Sequence, residues 1–257
     1  MDPATLTGFV VAIGSVLAAI VMEGSSPMSV VLPAPMMLVI GGTLGAGLAS
    51  STLPDAIRAF SSLPKWLMFK KPDMDAIVQT IVGLADRARR EGLLSLESAA
   101  RDVEDEFLRS GLQAAIDGTD PDDLRDMLED RIASKRKQDK TTARYFSAMG
   151  GYAPTIGIIG TVVSLVHVLE NLSNPSEIGP LIASAFVATL WGLLTANTIW
   201  LPLGARVTRA SEIESAAMEV TLEGLLAIQS GANPRVVGLR LRSLLPPGES
   251  KTKEKAA

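Results

Sequence analysis

The sequence predicts an all-α, polytopic membrane protein with four transmembrane helices and a cytoplasmic helical domain between helices 2 and 3. Hydrophobic residues make up 47% of the 257 residues, and the mean hydropathy is +0.28 although 20% of the residues are charged. The charges are segregated, because every Lys and Arg lies within residues 55–144 or 206–257. A chain this apolar, with its basic residues confined to two segments, is typical of a membrane protein rather than of a soluble domain.

Four uncharged stretches are each long enough to span a bilayer core, which requires about 20 helical residues. They form two hairpins, residues 1–54 and 145–205, whose links contain no Lys or Arg. The predicted spans are about 4–22, 31–53, 146–169 and 179–203. A cleaved signal peptide is the alternative for the first span, but it requires a basic start, and Asp2 is the only charged residue before Gly8.

The distribution of basic residues predicts the orientation. By the positive-inside rule, the segment 55–144 and the segment after residue 205 are cytoplasmic, and so is the N-terminus. Residues 206–245 continue the fourth span as an amphipathic cytoplasmic helix, whereas residues 246–257 lack an apolar period and predict a disordered tail.

Apolar spacing predicts helices within the cytoplasmic segment. Ile77, Ile81 and Leu84 recur at helical intervals, and Gly92 is expected to break this helix. A further helix is expected to start with Asp120 as its N-cap and Pro121 at its first position.

The predicted spans contain no Asp, Glu, Lys or Arg. Because a proton or ion path across a membrane generally needs such a group at depth, we predict that the acid comes from another chain. His167 is the one histidine in these spans, about 15 Å from the centre of the third. Either it is an interfacial residue or it is part of a relay.

Composition excludes several classes of function. Cys is absent and there is a single His, so thiolate and His-rich metal sites are excluded, and no nucleophile and base converge. We therefore expect neither an enzyme nor a cofactor. The basic residues alternate with acidic ones, so no nucleic-acid surface is expected.

Small residues define one face on each of the last two spans. Ala188 and Gly192 lie on the fourth, Gly157 and Gly160 on the third, and such faces let helix backbones approach closely. They serve either packing within the chain or contact with another chain's helix. The hydroxyls of Thr161, Thr189 and Thr195 lie near these faces and either bond to their own helix carbonyls or coordinate an ion.

Several segments in order resemble the MotA/PomA family of flagellar stator proteins, within the MotA/TolQ/ExbB proton channel superfamily. They are YAPTIGIIGT at 152–161, VHVLEN at 166–171, AFVATLWG at 185–192, ARREGLLSLE at 88–97 and SGANPR at 230–235. The similarity extends from the first span to about residue 245. The resemblance implies a bacterial inner-membrane protein that takes part in flagellar motility.

The resemblance also implies roles for particular residues. Pro154 matches a hinge proline beside the partner's ion-carrying Asp, Thr189 matches a threonine lining that site, and Thr155 falls on the same pathway. Thr161 matches a position that is often Thr in sodium-driven members, whereas Ala188 departs from their paired threonines. The coupling ion is therefore open, with the proton as the default and sodium as the alternative.

The implied partners are a MotB/PomB-type protein with a peptidoglycan-binding domain, the rotor switch protein FliG, and further copies of the chain in a homopentamer. Arg89 and Glu97 match the charges that engage the rotor, within a torque domain at 55–144. On the residues alone, a solvated helix face is the favoured interpretation of the two charges, and the resemblance reverses this. The alternative functions are a TolQ/ExbB-type energiser of a periplasm-crossing partner, and a passive membrane scaffold.

Overall fold

The computed structural model describes residues 3–245, with side chains from residue 7 onward, and this part of the chain contains helices and no strand. The predicted tail at 246–257 lies outside the described residues. The helices are α1 (Pro3–Met22), α2 (Pro33–Ala49), α3 (Leu53–Ser61), α4 (Leu63–Leu67), α5 (Met74–Glu91), α6 (Leu96–Asp102), α7 (Glu106–Ile116), α8 (Pro121–Glu170), α9 (Pro175–Thr195), α10 (Leu201–Gln229) and α11 (Pro234–Ser243). Short 3₁₀ turns lie at Pro27–Val30 and Leu93–Ser95, and a π-helix at Ala196–Trp200 joins α9 to α10.

The chain divides into two compact units. The first, called here the membrane unit, contains the chain up to Lys70 together with Asp139–Ala210. The second, named the cytoplasmic unit after its predicted location, contains Lys71–Gln138 and the described part of the chain from Ser211 onward. Helices α8 and α10 contribute residues to both units.

Two helical stretches, Pro121–Glu170 and Pro175–Gln229, are long and apolar enough to cross a membrane, and Thr7–Met22 and Pro33–Ala49 form shorter apolar helices. The third predicted span is therefore the last part of a much longer helix. Neither Gly nor Pro occurs between Pro121 and Gly150, so no helix-breaking residue ends the helix where the composition becomes apolar.

The second span is shorter than the predicted 31–53. It ends at Ala49 because Thr52 starts a new helix, accepting a hydrogen bond from the Asp55 amide at 3.3 Å. Proline fixes the start of the span at Pro33. In the membrane unit α2 packs on α9, and the Trp191 indole donates to the Val30 carbonyl at 2.7 Å.

Two predicted helix boundaries in the cytoplasmic unit are confirmed. Helix α5 ends at Gly92, which has a φ of 84° that side chains other than glycine adopt only with strain. Helix α8 starts at Pro121, and the Asp120 carboxylate accepts from the Asp122 amide at 3.0 Å. The helix of the fourth span continues into α10, as the sequence predicted, although the π-helix between them was not predicted.

The cytoplasmic unit has one hydrophobic core, to which α5, α6, α7, α8, α10 and α11 contribute. Glu223 on α10 links two other helices, because its carboxylate lies 3.1 Å from Arg125 and 2.5 Å from Arg240. The hydrogen bond to Glu223 raises the pKa of Arg125, so this guanidinium stays charged at any physiological pH.

We expect Leu225→Ala to lower the free energy of unfolding of the cytoplasmic unit by about 2–5 kcal/mol, because Leu225 is fully buried and truncation leaves a cavity. Leu239→Ala is the matched control, since Leu239 is 63% exposed and its truncation should change stability by less than about 0.5 kcal/mol. Thermal unfolding of the solubilised protein, followed by circular dichroism, compares the two. Equal midpoints would contradict the assignment of Leu225 to the core.

Candidate functional site

Helices α8 and α9 approach until their backbones touch. A Cβ atom added at Gly192 would lie 2.7 Å from the Ala153 carbonyl oxygen and 3.1 Å from the Gly157 Cα. One added at Gly157 would lie 3.0 Å from the Ala188 carbonyl oxygen. The small-residue faces predicted from the sequence therefore pack against each other within the chain.

This close approach brings two threonine hydroxyls together. Thr161 Oγ1 on α8 and Thr189 Oγ1 on α9 are in hydrogen-bond contact, and both side chains are half-buried. Thr161 Oγ1 also lies 3.2 Å from the carbonyl oxygens of Gly157 and Ala185, and Thr189 Oγ1 lies 3.5 Å from that of Gly157. We call these two hydroxyls and two carbonyls the oxygen cluster.

The oxygen cluster has a defined chemistry. Neutral hydroxyl and carbonyl oxygens are ligands for hard cations, and a hydroxyl can also donate to a carboxylate. In the absence of either, the same groups satisfy one another. The sequence predicted both threonines and, from the i−4 spacing, the bond of Thr161 to the Gly157 carbonyl, but not that Thr161 also reaches the Ala185 carbonyl on the other helix.

Pro154 and Thr155 do not join the oxygen cluster. Helix α8 continues through Pro154, which has no N–H, so the carbonyl of Gly150 loses its usual helical donor. Thr155 is exposed and donates to the Tyr152 carbonyl at 2.8 Å. It lies six residues before Thr161, about 9 Å along the helix axis.

Beside the cluster, α8 and α9 expose a wide apolar surface. The side chains are between 44% and 69% exposed and carry no charge. They are Ile158, Ile159, Val162, Val163, Leu165, Val166 and Leu169 on α8, and Phe186 and Leu193 on α9. An apolar surface of this size marks contact with lipid or with another chain.

His167 lies apart from the cluster. It is 58% exposed, and its Nδ1 lies 3.4 Å from Glu170 Oε2, one turn further along α8. The imidazole thus has a partner outside the predicted span and none in the oxygen cluster among the side chains described.

Arg89 and Glu97, which the resemblance matches to a rotor contact, lie on either side of Gly92 in the sequence. Arg89 is exposed and makes no ion pair within residues 7–245, whereas its neighbours are paired, Arg90 with Asp86 at 2.9 Å and Arg87 with Glu91 at 3.3 Å. Glu97 is 55% exposed and lies 2.8 Å from Arg101. Arg89 is therefore the cation of this segment that is available to another molecule.

Two family models match the chain. The one described as the MotA/TolQ/ExbB proton channel family matches residues 99–220, and the one described as Motility protein A N-terminal matches residues 6–92. Together they account for the α8–α9 site, the first hairpin and the segment around Arg89.

Curated relatives and solved structures agree with these models over nearly the whole length. Chemotaxis protein PomA of Vibrio alginolyticus is 33% identical over 97% of this chain and 97% of its own, and Motility protein A of Bacillus subtilis is 32% identical over 96% and 92%. A chain of the C. jejuni MotAB structure superposes with a TM-score of 0.91 at 26% identity, covering 96% of this chain and 97% of that one. A chain of the flagellar MotAB stator complex from Bacillus subtilis gives 0.89 at 30% identity, with the same coverage.

Proposed function

The chain belongs to the MotA/PomA family of motility proteins, within the MotA/TolQ/ExbB proton channel family, and from this we infer that it is the MotA-type component of a flagellar motor stator. With a MotB/PomB-type partner, called here the B protein, it forms an inner-membrane ion channel that converts ion-motive force into torque for flagellum-dependent motility, and its role is not enzymatic. The observation that carries this inference is the end-to-end similarity to chains of two MotAB structures. The match of residues 6–92 to a motility-protein model favours a stator over a TolQ/ExbB-type energiser.

We propose that the B protein supplies the acid that the spans lack. Its carboxylate, when charged, is held by the hydroxyl donors of Thr161 and Thr189, and when neutralised by the arriving ion it tolerates the apolar surface beside them. Binding and release of the ion then move the chains relative to each other. Pro154 acts as the hinge of α8 in this step, and Thr155, exposed about 9 Å away, lines the pathway that leads to the cluster.

The assembly that fits this mechanism is a homopentamer of this chain around paired helices of the B protein, whose peptidoglycan-binding domain keeps the complex from turning freely. Movement of the five copies reaches the rotor switch protein FliG through Arg89 and Glu97. Each elementary charge crossing the membrane supplies about 2.3 kcal/mol per 100 mV, so sustained torque needs repeated steps.

The orientation in this proposal has both termini and the segment 55–144 in the cytoplasm. It is supported by the distribution of Lys and Arg, which are absent from the links at residues 23–32 and 171–174. FliG lies in the cytoplasm, so the torque domain at 55–144 must face that side for the proposed contact to form.

The proton is the proposed coupling ion, and sodium is the second candidate. Sodium is favoured by one specific observation, the oxygen cluster, in which two hydroxyls and two carbonyls converge without a charge of their own. The ion is the transported substrate, and we propose no cofactor.

Thr161→Val decides what the hydroxyl contributes, since it keeps the shape of the side chain and removes its oxygen. We expect motility to fall at least tenfold if sodium is the ion, because loss of one ligand and of the Thr189 contact amounts to about 1.5–3 kcal/mol. The measurement is swimming speed in media with and without sodium, in cells whose only stator consists of this chain and its B protein.

The matched control is Thr43→Val. Thr43 is also buried in a span and donates to its own helix carbonyl, that of Val39 at 2.6 Å, but it has no contact with another hydroxyl among the residues described. Speeds that depend on sodium in the wild type, and fall for Thr161→Val alone, would establish sodium coupling. Sodium-independent swimming that survives Thr161→Val would assign the proton and leave Thr161 as a packing residue.

A further inference from the structure

A groove of about 300 Å³ lies in the membrane unit, where α1 passes the π-helix and the start of α10. It is partly open and its walls are mainly apolar. The residues that matter for its chemistry are Phe9 and Ala12 on α1, Thr198 on the π-helix, and Pro202, Leu203 and Arg206 on α10. None of these residues belongs to the oxygen cluster or to the torque domain at 55–144.

The wall formed by the π-helix and the start of α10 has an irregular backbone. Pro202 has no N–H and cannot continue the regular helical bonding, and the preceding turn widens so that the Leu201 amide bonds to the Ala196 carbonyl, five residues back. The Thr198 hydroxyl is satisfied by the Leu194 carbonyl at 2.7 Å. The walls therefore present mainly hydrocarbon, together with the side chain of Asn197.

One end of the groove carries a positive charge. Arg206 is the first Lys or Arg after Arg144, and no Asp or Glu occurs between Glu177 and Glu212. Its Nε donates to the Trp66 carbonyl at 2.7 Å, which fixes the guanidinium in place. No carboxylate lines the groove among the side chains described.

The residues around Arg206 indicate its depth in the membrane. Lys65 Nζ lies 4.3 Å from the centre of the Trp66 ring, so a Trp, a Lys and an Arg come together within one short region of the membrane unit. Trp66 is buried, whereas the charges of Lys65 and Arg206, near the ends of their helices, belong at the level of the lipid headgroups. In the proposed orientation this level is the cytoplasmic surface of the bilayer, and the groove extends from it toward the hydrocarbon.

We propose that this groove binds an anionic phospholipid of the cytoplasmic leaflet, with its phosphate at Arg206 and an acyl chain along Phe9, Ala12 and Leu203. Basic pockets between spans on the cytoplasmic side bind anionic headgroups. The bound lipid would fill the gap beside the π-helix and hold α1 against the fourth span.

The proposal is tested by counting lipids rather than by motility, so that its outcome does not depend on the stator function. The purified complex of this chain with its B protein is reconstituted into vesicles containing spin-labelled phosphatidylglycerol or spin-labelled phosphatidylcholine. The spectrum gives the number of immobilised lipids per copy of this chain. We expect phosphatidylglycerol to be preferred about fivefold at one site per copy, as one basic residue provides.

Two variants address the two halves of the site, each with a matched control. Arg206→Gln should remove the preference, whereas Arg58→Gln, at an exposed residue outside the groove, should retain it. Ala12→Trp should fill the groove and release one phosphatidylglycerol per copy without touching Arg206. Ala18→Trp, on the exposed surface of the same helix, should release none.

Equal binding of the two lipids by the wild type would overturn the proposal. So would unchanged phosphatidylglycerol binding in Ala12→Trp, since the lipid would then lie elsewhere. A third contrary result is a change in the number of copies per complex in Ala12→Trp with lipid binding intact, which would identify the groove as a contact between chains.

Discussion

Gly192→Val is expected to abolish motility while the chain still inserts into the membrane. The Cβ of any side chain at this position would meet the Ala153 carbonyl oxygen at 2.7 Å and the Gly157 Cα at 3.1 Å, and both are backbone atoms that cannot turn aside. Helices α8 and α9 must therefore separate. We expect overpacking of this kind to lower stability by about 1–3 kcal/mol.

The effect on function is larger than the effect on stability. The contact between Thr161 and Thr189 exists only because the glycines let the two helices approach, so separation by even about 1 Å opens the oxygen cluster. The hydroxyls would then no longer converge on one ion or one carboxylate. A displacement of this size at a reacting centre commonly lowers a rate about a hundredfold.

Gly41→Val provides the matched control. Gly41 lies within a span, α2, but a Cβ added there meets no atom within 4 Å. Swimming speed is measured for both variants, with immunoblots of membrane fractions to compare their amounts. Normal motility of Gly192→Val at normal abundance would show that the close approach of α8 and α9 is not needed for ion passage.

Helix boundaries could be predicted where local chemistry determines them. Gly92 marks the end of α5 and Asp120 marks the start of α8, because a left-handed φ and a side-chain cap are properties of single residues. The beginning of the third span could not be found in the same way. The hydropathy shows that the sequence becomes apolar near residue 145. No helix-breaking residue lies there, so α8 continues through this point.

The threonines of the oxygen cluster could be predicted from the sequence, but the contact between them could not. The spacing of Thr161 from Gly157 indicates one hydrogen bond, but whether the hydroxyl also meets Thr189, 28 residues away, depends on how α8 and α9 pack. The π-helix shows the same limit. Pro202 signals that the regular helix is disturbed, but the way in which the backbone absorbs the disturbance depends on the whole turn.

For the segment around Gly92, helical spacing predicts two ion pairs but does not settle the partner of Arg89. Arg90 has Asp86 four residues before it, and Arg87 has Glu91 four residues after it, so both pairs follow from helical spacing. Arg89 has Ala85 and Leu93 at those distances, although Asp86 is also within reach three residues back. The structure assigns Asp86 to Arg90 and leaves Arg89 without an ion pair among residues 7–245.

Arg89→Glu combined with Glu97→Arg is expected to lower torque about tenfold or more with little change in stability. Exposed charges steer a moving partner, and reversing them turns attraction into repulsion, which lowers the rate of productive encounter by on the order of tenfold or more. The Glu97–Arg101 pair is lost, but both side chains are more than half exposed, so the loss amounts to less than about 1 kcal/mol. Swimming speed and the torque on tethered cells measure the effect.

Arg90→Glu distinguishes a rotor contact from a general effect of charge in this segment. It changes the net charge as much as Arg89→Glu does, but it acts on a cation that is already neutralised by Asp86 at 2.9 Å. If Arg89 meets the rotor, Arg89→Glu should lower torque far more than Arg90→Glu, and high salt in the cytoplasm should weaken both effects. Equal losses in the two single variants would mean that the segment acts through its overall charge, and full torque in the double variant would remove both residues from the rotor contact.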